Sequence, residues 1–388
     1  MTLGQGIDIG PFSLPIFRML LAIGLVRSYF KKEYLSLRLN TADHLTLALG
    51  AWMMVASFFH NGSEGSGPIF ISGQIYNFTL IYFLFRMWIT NTSEYRHFLS
   101  GIALLVVPLA FTMVIEKYSG KNPLSVFGGV PEDVLYRAGK LRAQGPFRHP
   151  ILAGTVGATC VPLIIGIYHE RKLIACVGLV SCLIMVFASS SSGPIISLIA
   201  GLLVIVLWKI RHFTSLIVVF AVLTYGFLML IMEKSPYYLL AKIDLSGGST
   251  GWHRSFLIEQ TINHFDEWWI IGTDHTRHWM PFQGIGATTH HTDITNYYIG
   301  FAVMAGLPAL TLYSLLVFNS LNNVWKLQSR NVQVVDSDRF LMWTLGAGLF
   351  AHAATSISVA YFDQSLIFIW MNLSIISSLY FCHLDMQK

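Results

Sequence analysis

Charge is what this chain has least of: 12% of its 388 residues are Asp, Glu, Lys or Arg, where a water-soluble domain uses about a quarter. Together with 54% hydrophobic and 14% aromatic residues, that scarcity excludes an ordinary soluble globular domain. Cysteine is also scarce. Cys160, Cys176, Cys182 and Cys382 all fall inside apolar runs, which argues against a disulfide framework. No G-x-x-x-x-G-K-[ST] phosphate loop occurs, so P-loop nucleotide chemistry is excluded. The first apolar run lacks a basic segment before it and a small-residue cleavage site after it, so no cleavable signal peptide is expected. Internal repeats of the transporter kind are not evident. The net charge of +5 lies mostly between the apolar runs, where it serves topology and anion binding, and no nucleic-acid partner is expected.

What is present is apolar sequence in membrane-length runs. A hydrocarbon core of about 30 Å takes about 20 apolar residues as a helix, and continuous runs are unlike the alternating segments of a membrane barrel. The expected fold is therefore an all-α polytopic membrane protein, a single membrane domain over residues 1–388, with about 11 transmembrane helices. The expected spans are Phe12–Val26, Asp43–Phe59, Gln74–Thr90, Phe98–Ile115, Ile151–Tyr168, Leu173–Ser189, Pro194–Trp208, Phe213–Met232, Ile294–Leu321, Phe340–Val359 and Ser365–Phe381.

The short connections divide by charge. Arg27, Lys31, Lys32 and Arg38, the HERK run His169–Lys172, the KIRH run Lys209–His212, and Lys326, Arg330 and Arg339 fall on one side, which the positive-inside rule makes cytoplasmic. The connections His60–Gly67, Ser189–Ser192 and Phe362–Ser365 hold no Lys or Arg and are expected outside, which also places the N-terminus there. The two long loops, 116–150 and 233–293, then face outward too, although both are basic. Long loops translocate largely regardless of charge, so their arginines are there for another reason. Arg86, the main ionisable residue within a span, is expected to snorkel to the cytoplasmic end.

The polar wealth concentrates in Gly251–Gly306. The spacing predicts a short interfacial helix from Trp252 to Phe265 with Phe256, Ile258, Thr261, Ile262 and Phe265 on its apolar side, and Trp268 and Trp269 at headgroup level. Arg254 lies in its first turn. A guanidinium grips phosphate with two parallel hydrogen bonds and keeps its charge; the alternative is an anchor to lipid headgroups. The runs His275–His278 and His290–Asp293 offer imidazoles beside a carboxylate, the material of a general base. Asp293 either orients that base or caps the span starting at Ile294. A zinc site from His275, His278, His290 and His291 matches no tight ligand spacing, and no metal is expected. Arg142, Arg148 and His149 cluster before the fifth span, as an anion pocket or as headgroup anchors. Turn chemistry accounts for the serines at 189–192.

These residues come in a familiar order. Gly145–Pro150 opens a span with His-Pro, Ser189–Gly193 makes a serine turn two spans later, and an arginine helix starts the long loop. A P-x-x-G-x-G-like turn follows at Pro281–Gly286, and Thr295 and Asn296 enter a span with Gly306 downstream. From about Arg142 to Gly306 the chain resembles the O-antigen ligase and O-antigen polymerase superfamily. The resemblance implies an inverting glycosyltransferase, independent of metal or other cofactor, in the bacterial inner membrane with its site on the extracytoplasmic face. Its implied partners are a polyprenyl-diphosphate-linked glycan donor, a glycan acceptor, membrane lipid, and a possible chain-length regulator or export complex. Arginines would hold the diphosphate and a loop histidine would activate the acceptor. Where the family has His-Asn this chain has Thr295-Asn296, so His291, one helical turn earlier, takes the base role, with Asp293. Where the family's serine turn ends Ser-Arg-Gly, this one reads Ser191-Ser192-Gly193, so Arg148, Arg142 or Arg277 would join Arg254. His290, His278, His275, His149 and Asn296 are further candidates. The alternative is a transporter or flippase for a lipid-linked or anionic solute; a non-catalytic scaffold in an export complex is a second rival.

Overall fold

The computed structural model describes residues 2, 4–10, 12–60, 67–243, 245, 251–280, 290–328 and 335–385. The Pro281–Gly286 turn and Arg330 lie outside them. A hairpin of β1 (Gly6–Ile9) and β2 (Phe12–Pro15) leads into α1 (Ile16–Phe30), α2 (Thr41–Ser57), α3 (Gly67–Trp88) and α4 (Thr92–Ser119). A second hairpin, β3 (Leu135–Arg137) and β4 (Lys140–Arg142), precedes α5 (Pro150–Ile165), α6 (Lys172–Ala188), α7 (Ser192–Val206) and α8 (Thr214–Ile231). The long loop holds α9 (Leu239–Lys242), α10 (Gly251–Asn263) and α11 (Phe265–Trp268); α12 (Tyr297–Leu327), α13 (Asp336–Ser356) and α14 (Leu366–Asp385) complete the chain.

The protein is predominantly helical. Five stretches are long and apolar enough to cross a membrane: Gly67–Trp88, Thr92–Ser119, Ser192–Ile231, Tyr297–Leu327 and Asp363–Cys382. Pro150–Ile165 and Lys172–Ala188 are apolar but shorter. The Ser192–Ile231 stretch is interrupted at Ile210 (φ −114°, ψ 19°), which separates α7 from α8. None of the residues of α8 is buried.

The bundle has two ends, and the connections sort between them as their charge predicts. At one end Arg96 bridges to Glu170 at 2.7 Å and Asp338 at 2.5 Å, tying together the starts of α4, α6 and α13. Arg86 lies at this end and does not snorkel. It is buried, its Nε 3.3 Å from Asp43 Oδ1, while Tyr82 donates to the same oxygen at 2.8 Å and Arg86 also donates to Ser378 Oγ and Arg38 O. Asp43 closes a capping box with Asn40, so this buried charge has partners on every side.

At the other end, the loop end, Arg142 reaches Ser191, Leu245 N–H donates to Ser192 Oγ, His60 meets Asp274, and Gln364 donates to Pro146 O. The long loop is fastened there by a break in α12. Pro308 has no N–H and its ring crowds the carbonyl one turn back; the helix yields at Ala305 (φ −158°, ψ 27°) and Gly306 (φ 75°, ψ −171°). Three of the backbone groups this frees find partners: Val303 O accepts from Thr273 N at 2.9 Å, Leu307 N donates to Trp269 O at 2.9 Å, and Ala305 O accepts from Trp52 Nε1 at 2.7 Å. The approach is close enough that a Cβ on Gly306 would lie 2.2 Å from Ile270 O, and one on Gly272 (φ 90°) 2.2 Å from Val303 O.

Gly306 sits in a backbone region open essentially to glycine alone. Gly306→Ala is expected to cost about 1–3 kcal/mol from backbone strain, with the clash in addition, and to expose the long loop. Thermal unfolding in detergent and limited proteolysis of the loop measure this, with Gly300→Ala as control, since nothing lies within 4 Å of a Cβ there.

Candidate anion site and histidine cluster

The 140–150 segment is held by its backbone. Ala138 (φ 49°) and Gly139 (φ 77°) turn β3 into β4, the two positive φ values of a type I′ hairpin. Both oxygens of buried Glu116 then accept backbone N–H groups, from Gln144 at 2.7 Å and Gly145 at 2.6 Å, and Asn122 Nδ2 donates to Gly145 O at 2.9 Å. Ala143 N donates to Ala188 O at 3.1 Å, and Lys117 Nζ donates to Leu141 O and Ser190 Oγ. The result is a loop pinned across the end of α6, with the Arg142 guanidinium driven into the serine turn, where Nη2 donates to Ser191 Oγ at 2.7 Å. His149 N-caps α5, its Nδ1 accepting from Ile151 N at 3.2 Å.

Arg254 comes from the first turn of α10. The buried residues of that helix are Gly251, Arg254, Ser255, Leu257 and Thr261, whereas Ile262 and Phe265 are exposed. The predicted apolar side is thus divided: Thr261 is buried and Phe256 and Ile258 pack against protein, while Ile262 and Phe265 face outward. Packing decides this: Leu257 joins Trp268, Trp279, Met280, Ile299 and Val303 in a small core beneath the loop, and Arg254 is carried inward with it. Its side chain is 9% exposed and that of Arg142 7%, so neither is a headgroup anchor. The tryptophan pair splits, with Trp268 buried and donating to Thr261 O and Trp269 exposed.

These cations are under-compensated. Among the described residues neither the Arg142 Nε nor the Arg254 Nε has a hydrogen-bond partner. Burial, then Arg137 and then Arg254, pull the Arg142 pKa down to about 10. Burial and Arg137 also lower that of Arg254, against which Asp293 acts to raise it. Asp293 faces His253 and Arg254, and burial raises its carboxyl above the ordinary range. Burial, Arg142 and Arg137 hold His149 down at about 4, a neutral imidazole at pH 7. The site thus holds two buried guanidinia with unmade Nε donors, a carboxyl facing Arg254 and a serine hydroxyl on Arg142.

The histidines gather separately. His60 Nδ1 meets Asp274 Oδ1 at 2.9 Å and its Nε2 donates to Ile271 O at 2.7 Å. The groups facing His291 are Asp274, His290, His275 and His60. Burial lowers the His291 pKa, with Asp274 opposing, and Thr276 Oγ1 lies 3.4 Å from its Nδ1. His275 stacks on His278 with centroids 5.8 Å apart and meets His290 at 5.7 Å. His278 Nε2 contacts both oxygens of Glu267 at 2.9 Å.

The structure therefore brings together Arg142, Arg254, His149 and Asp293 from the expected set. Of the three arginines considered for the gap in the serine turn, Arg142 is the one that enters it. The Arg148 side chain is exposed while its backbone N donates to Asp363, and Arg277 Nη1 donates to Met280 O. Residues 291–296 are not helical, so His291 is not one turn before the span on a shared face. The cap is Asn296, whose side chain accepts from Ile299 N at 3.0 Å and donates to Ile357 O at 2.9 Å, so Asp293 is released from capping. Arg137, His253, His60, Asp274, His264 and Glu267 escaped the sequence reading; only the basic character of the 116–150 loop hinted at Arg137. No known family model and no curated protein matches the chain.

The depressed His149 value has a consequence for stability. Its folded pKa lies below the unfolded 6.5, so the unfolded chain takes up this proton first, and the contribution present above pH 6.5 is lost as pH falls toward 4. Wild-type melting temperature is expected to fall across that window. His149→Gln, which can still cap α5, should flatten the fall, as read by thermal unfolding at stepped pH.

Proposed function

We propose that this chain is a glycosyltransferase of the bacterial inner membrane that moves a glycan from a polyprenyl diphosphate to an acceptor sugar hydroxyl on the extracytoplasmic face. In this reading α1–α8 and α12–α14 all cross the bilayer, eleven spans, with lipid around the unburied α8. The observation that supports it is the Arg142–Arg254 pair: buried, mutually repelling, with unmade N–H donors, at the end of the bundle that holds the Ser189–Ser192 and Phe362–Ser365 connections. An isolated arginine pair of this kind is costly unless a multiply charged anion completes it, and a lipid diphosphate presents one at that depth.

The chemistry follows from the charges. The anomeric C–O bond to the diphosphate breaks, the acceptor oxygen bonds to the anomeric carbon, and the acceptor proton goes to a base. A diphosphate is already a leaving group, so the task is to stabilise its developing charge, which Arg142 and Arg254 do from fixed positions. Asp293 takes the base role in place of His291, because its carboxyl faces Arg254 and burial brings its pKa up toward the working pH. His291 faces the imidazole cluster and orients the same segment.

In detergent, without a sealed compartment, purified protein is expected to elongate or transfer a lipid-linked glycan. Arg142→Ala and Arg254→Ala should each lower the rate by about 10²–10³-fold, the usual loss for one pre-organised donor. Asp293→Asn should cost more than His291→Gln. Activity that needs sealed vesicles, or wild-type product from both arginine variants, sinks the reading in favour of transport.

A further inference from the structure

We propose that His264, Glu267 and His278 form a binding site for a divalent transition metal of the zinc class, apart from the arginine pair and independent of the transferase reading. The potential ligand atoms of the three lie within 4.8 Å of one another. His264 stands between α10 and α11 as the N-cap of α11, Glu267 belongs to α11, and His278 to the single 3₁₀ turn Arg277–Trp279. His-x-x-Glu spacing places the first two on successive turns, and the third folds back onto them.

The surroundings are those of a metal site rather than of a solvated ion pair. His264 Nδ1 lies 2.9 Å from Gln260 O. A carbonyl only accepts, so Nδ1 keeps the proton and Nε2 presents its lone pair, the tautomer a metal requires, fixed by an outer partner. Glu267 Oε2 accepts the indole N–H of Trp279 at 2.9 Å, which orients the carboxylate in the same way. Trp279 also stacks on the His264 ring at 5.6 Å, so one buried indole positions two of the ligands. His278 Nε2 is 2.9 Å from each Glu267 oxygen.

Tetrahedral zinc with bonds of about 2.0–2.2 Å separates its ligand atoms by about 3.3 Å. The His278–Glu267 approach would open by tenths of an ångström, and the widest gap would close by rotation of exposed side chains. Two imidazoles and one carboxylate suit zinc, copper or nickel and not calcium or magnesium, which prefer all-oxygen sites. Glu267 and His278 are exposed, which leaves a fourth position open to water. His275, stacked on His278, stands next to it.

The consequence is mechanical. The N–H groups of Thr276 and Arg277 both donate to His290 O at 3.0 Å, so the turn that supplies His278 also holds the start of the 290–293 segment. An ion at this point braces α10 and α11 against that segment and with it the position of Asp293.

The test uses untagged full-length protein in detergent, stripped with a chelator and titrated with Zn²⁺ alone and with Co²⁺ alone. The expected result is one ion per chain by calorimetry and metal analysis, visible d–d absorption from Co²⁺ of the intensity of a four- or five-coordinate centre, and a raised melting temperature with Zn²⁺. In Glu267→Gln and in the His264→Gln/His278→Gln double variant the high-affinity ion, the Co²⁺ absorption and the thermal shift should be lost while far-UV dichroism is unchanged. If wild-type protein takes up no more metal than the double variant, or its Co²⁺ spectrum is that of the hexa-aquo ion, the site does not exist and the three residues are an ion pair.

Discussion

The break in α12 sets the geometry on which the loop end depends. A continuous helix would keep Val303 O, Ala305 O and Leu307 N in its own ladder. The proline-induced interruption hands them to Thr273, Trp52 and Trp269 instead. An irregular backbone at this depth is tolerable only when protein supplies the lost partners, and the two glycines, Gly272 and Gly306, allow the chains close enough to do so. The loop is thereby docked through main-chain bonds, which side-chain variation leaves intact. Arg254, His278 and the 290–293 segment inherit their positions from that docking.

The two ends of the bundle treat a buried arginine in opposite ways. Arg86 is surrounded by Asp43, Ser378 and the Arg38 carbonyl, and its charge is answered within the fold. Arg142 and Arg254 each face another arginine, and only Arg254 faces a carboxyl, that of Asp293. Desolvating a cation costs several kcal/mol unless it is paired, so the first arrangement is structural and the second is incomplete on its own. A chain with so little charge has placed two of its few cations where they repel, and in the proposed reading an arriving anion would turn that repulsion into affinity. A transporter carrying its anion through the midplane would put such cations in mid-span; here Arg142 precedes α5 and Arg254 belongs to the long loop, both outside the long apolar helices.

Much of this was legible in residue patterns, and the failures have physical causes. Apolar periodicity located the helices, with ends displaced by up to seven residues as at α3, and the distribution of Lys and Arg sorted the connections into the two groups that the hydrogen bonds and ion pairs bear out. Arg254 and Arg142 stood out as charges out of place. The apolar side of the interfacial helix is split, because the small core around Leu257 and Trp279 takes Phe256 and Ile258 and leaves Ile262 and Phe265 exposed. Snorkelling was expected of Arg86 because Asp43, more than forty residues away, gives no local sign of pairing with it. His291 was put on a helix face because Asn296 was read as a family position rather than as the cap that starts α12 after it. Contacts across long sequence separations, His60 with Asp274 or His264 with His278, leave no period to read.

The 290–293 segment is where the two clusters meet. Thr292 is buried with its backbone N held by Thr276 Oγ1 at 3.1 Å, which anchors the segment to the turn that also bears His278. His291 looks to Asp274 and the other imidazoles, whereas Asp293 looks to Arg254 and His253. A proton acceptor beside a buried guanidinium pair needs to be an anion, since a cation formed there would add to the repulsion already present. A carboxylate that becomes neutral on taking a proton meets that requirement, and an imidazole that becomes charged does not. The same electrostatics that hold His149 unprotonated therefore favour Asp293 over any histidine as the group that receives a proton beside the arginines.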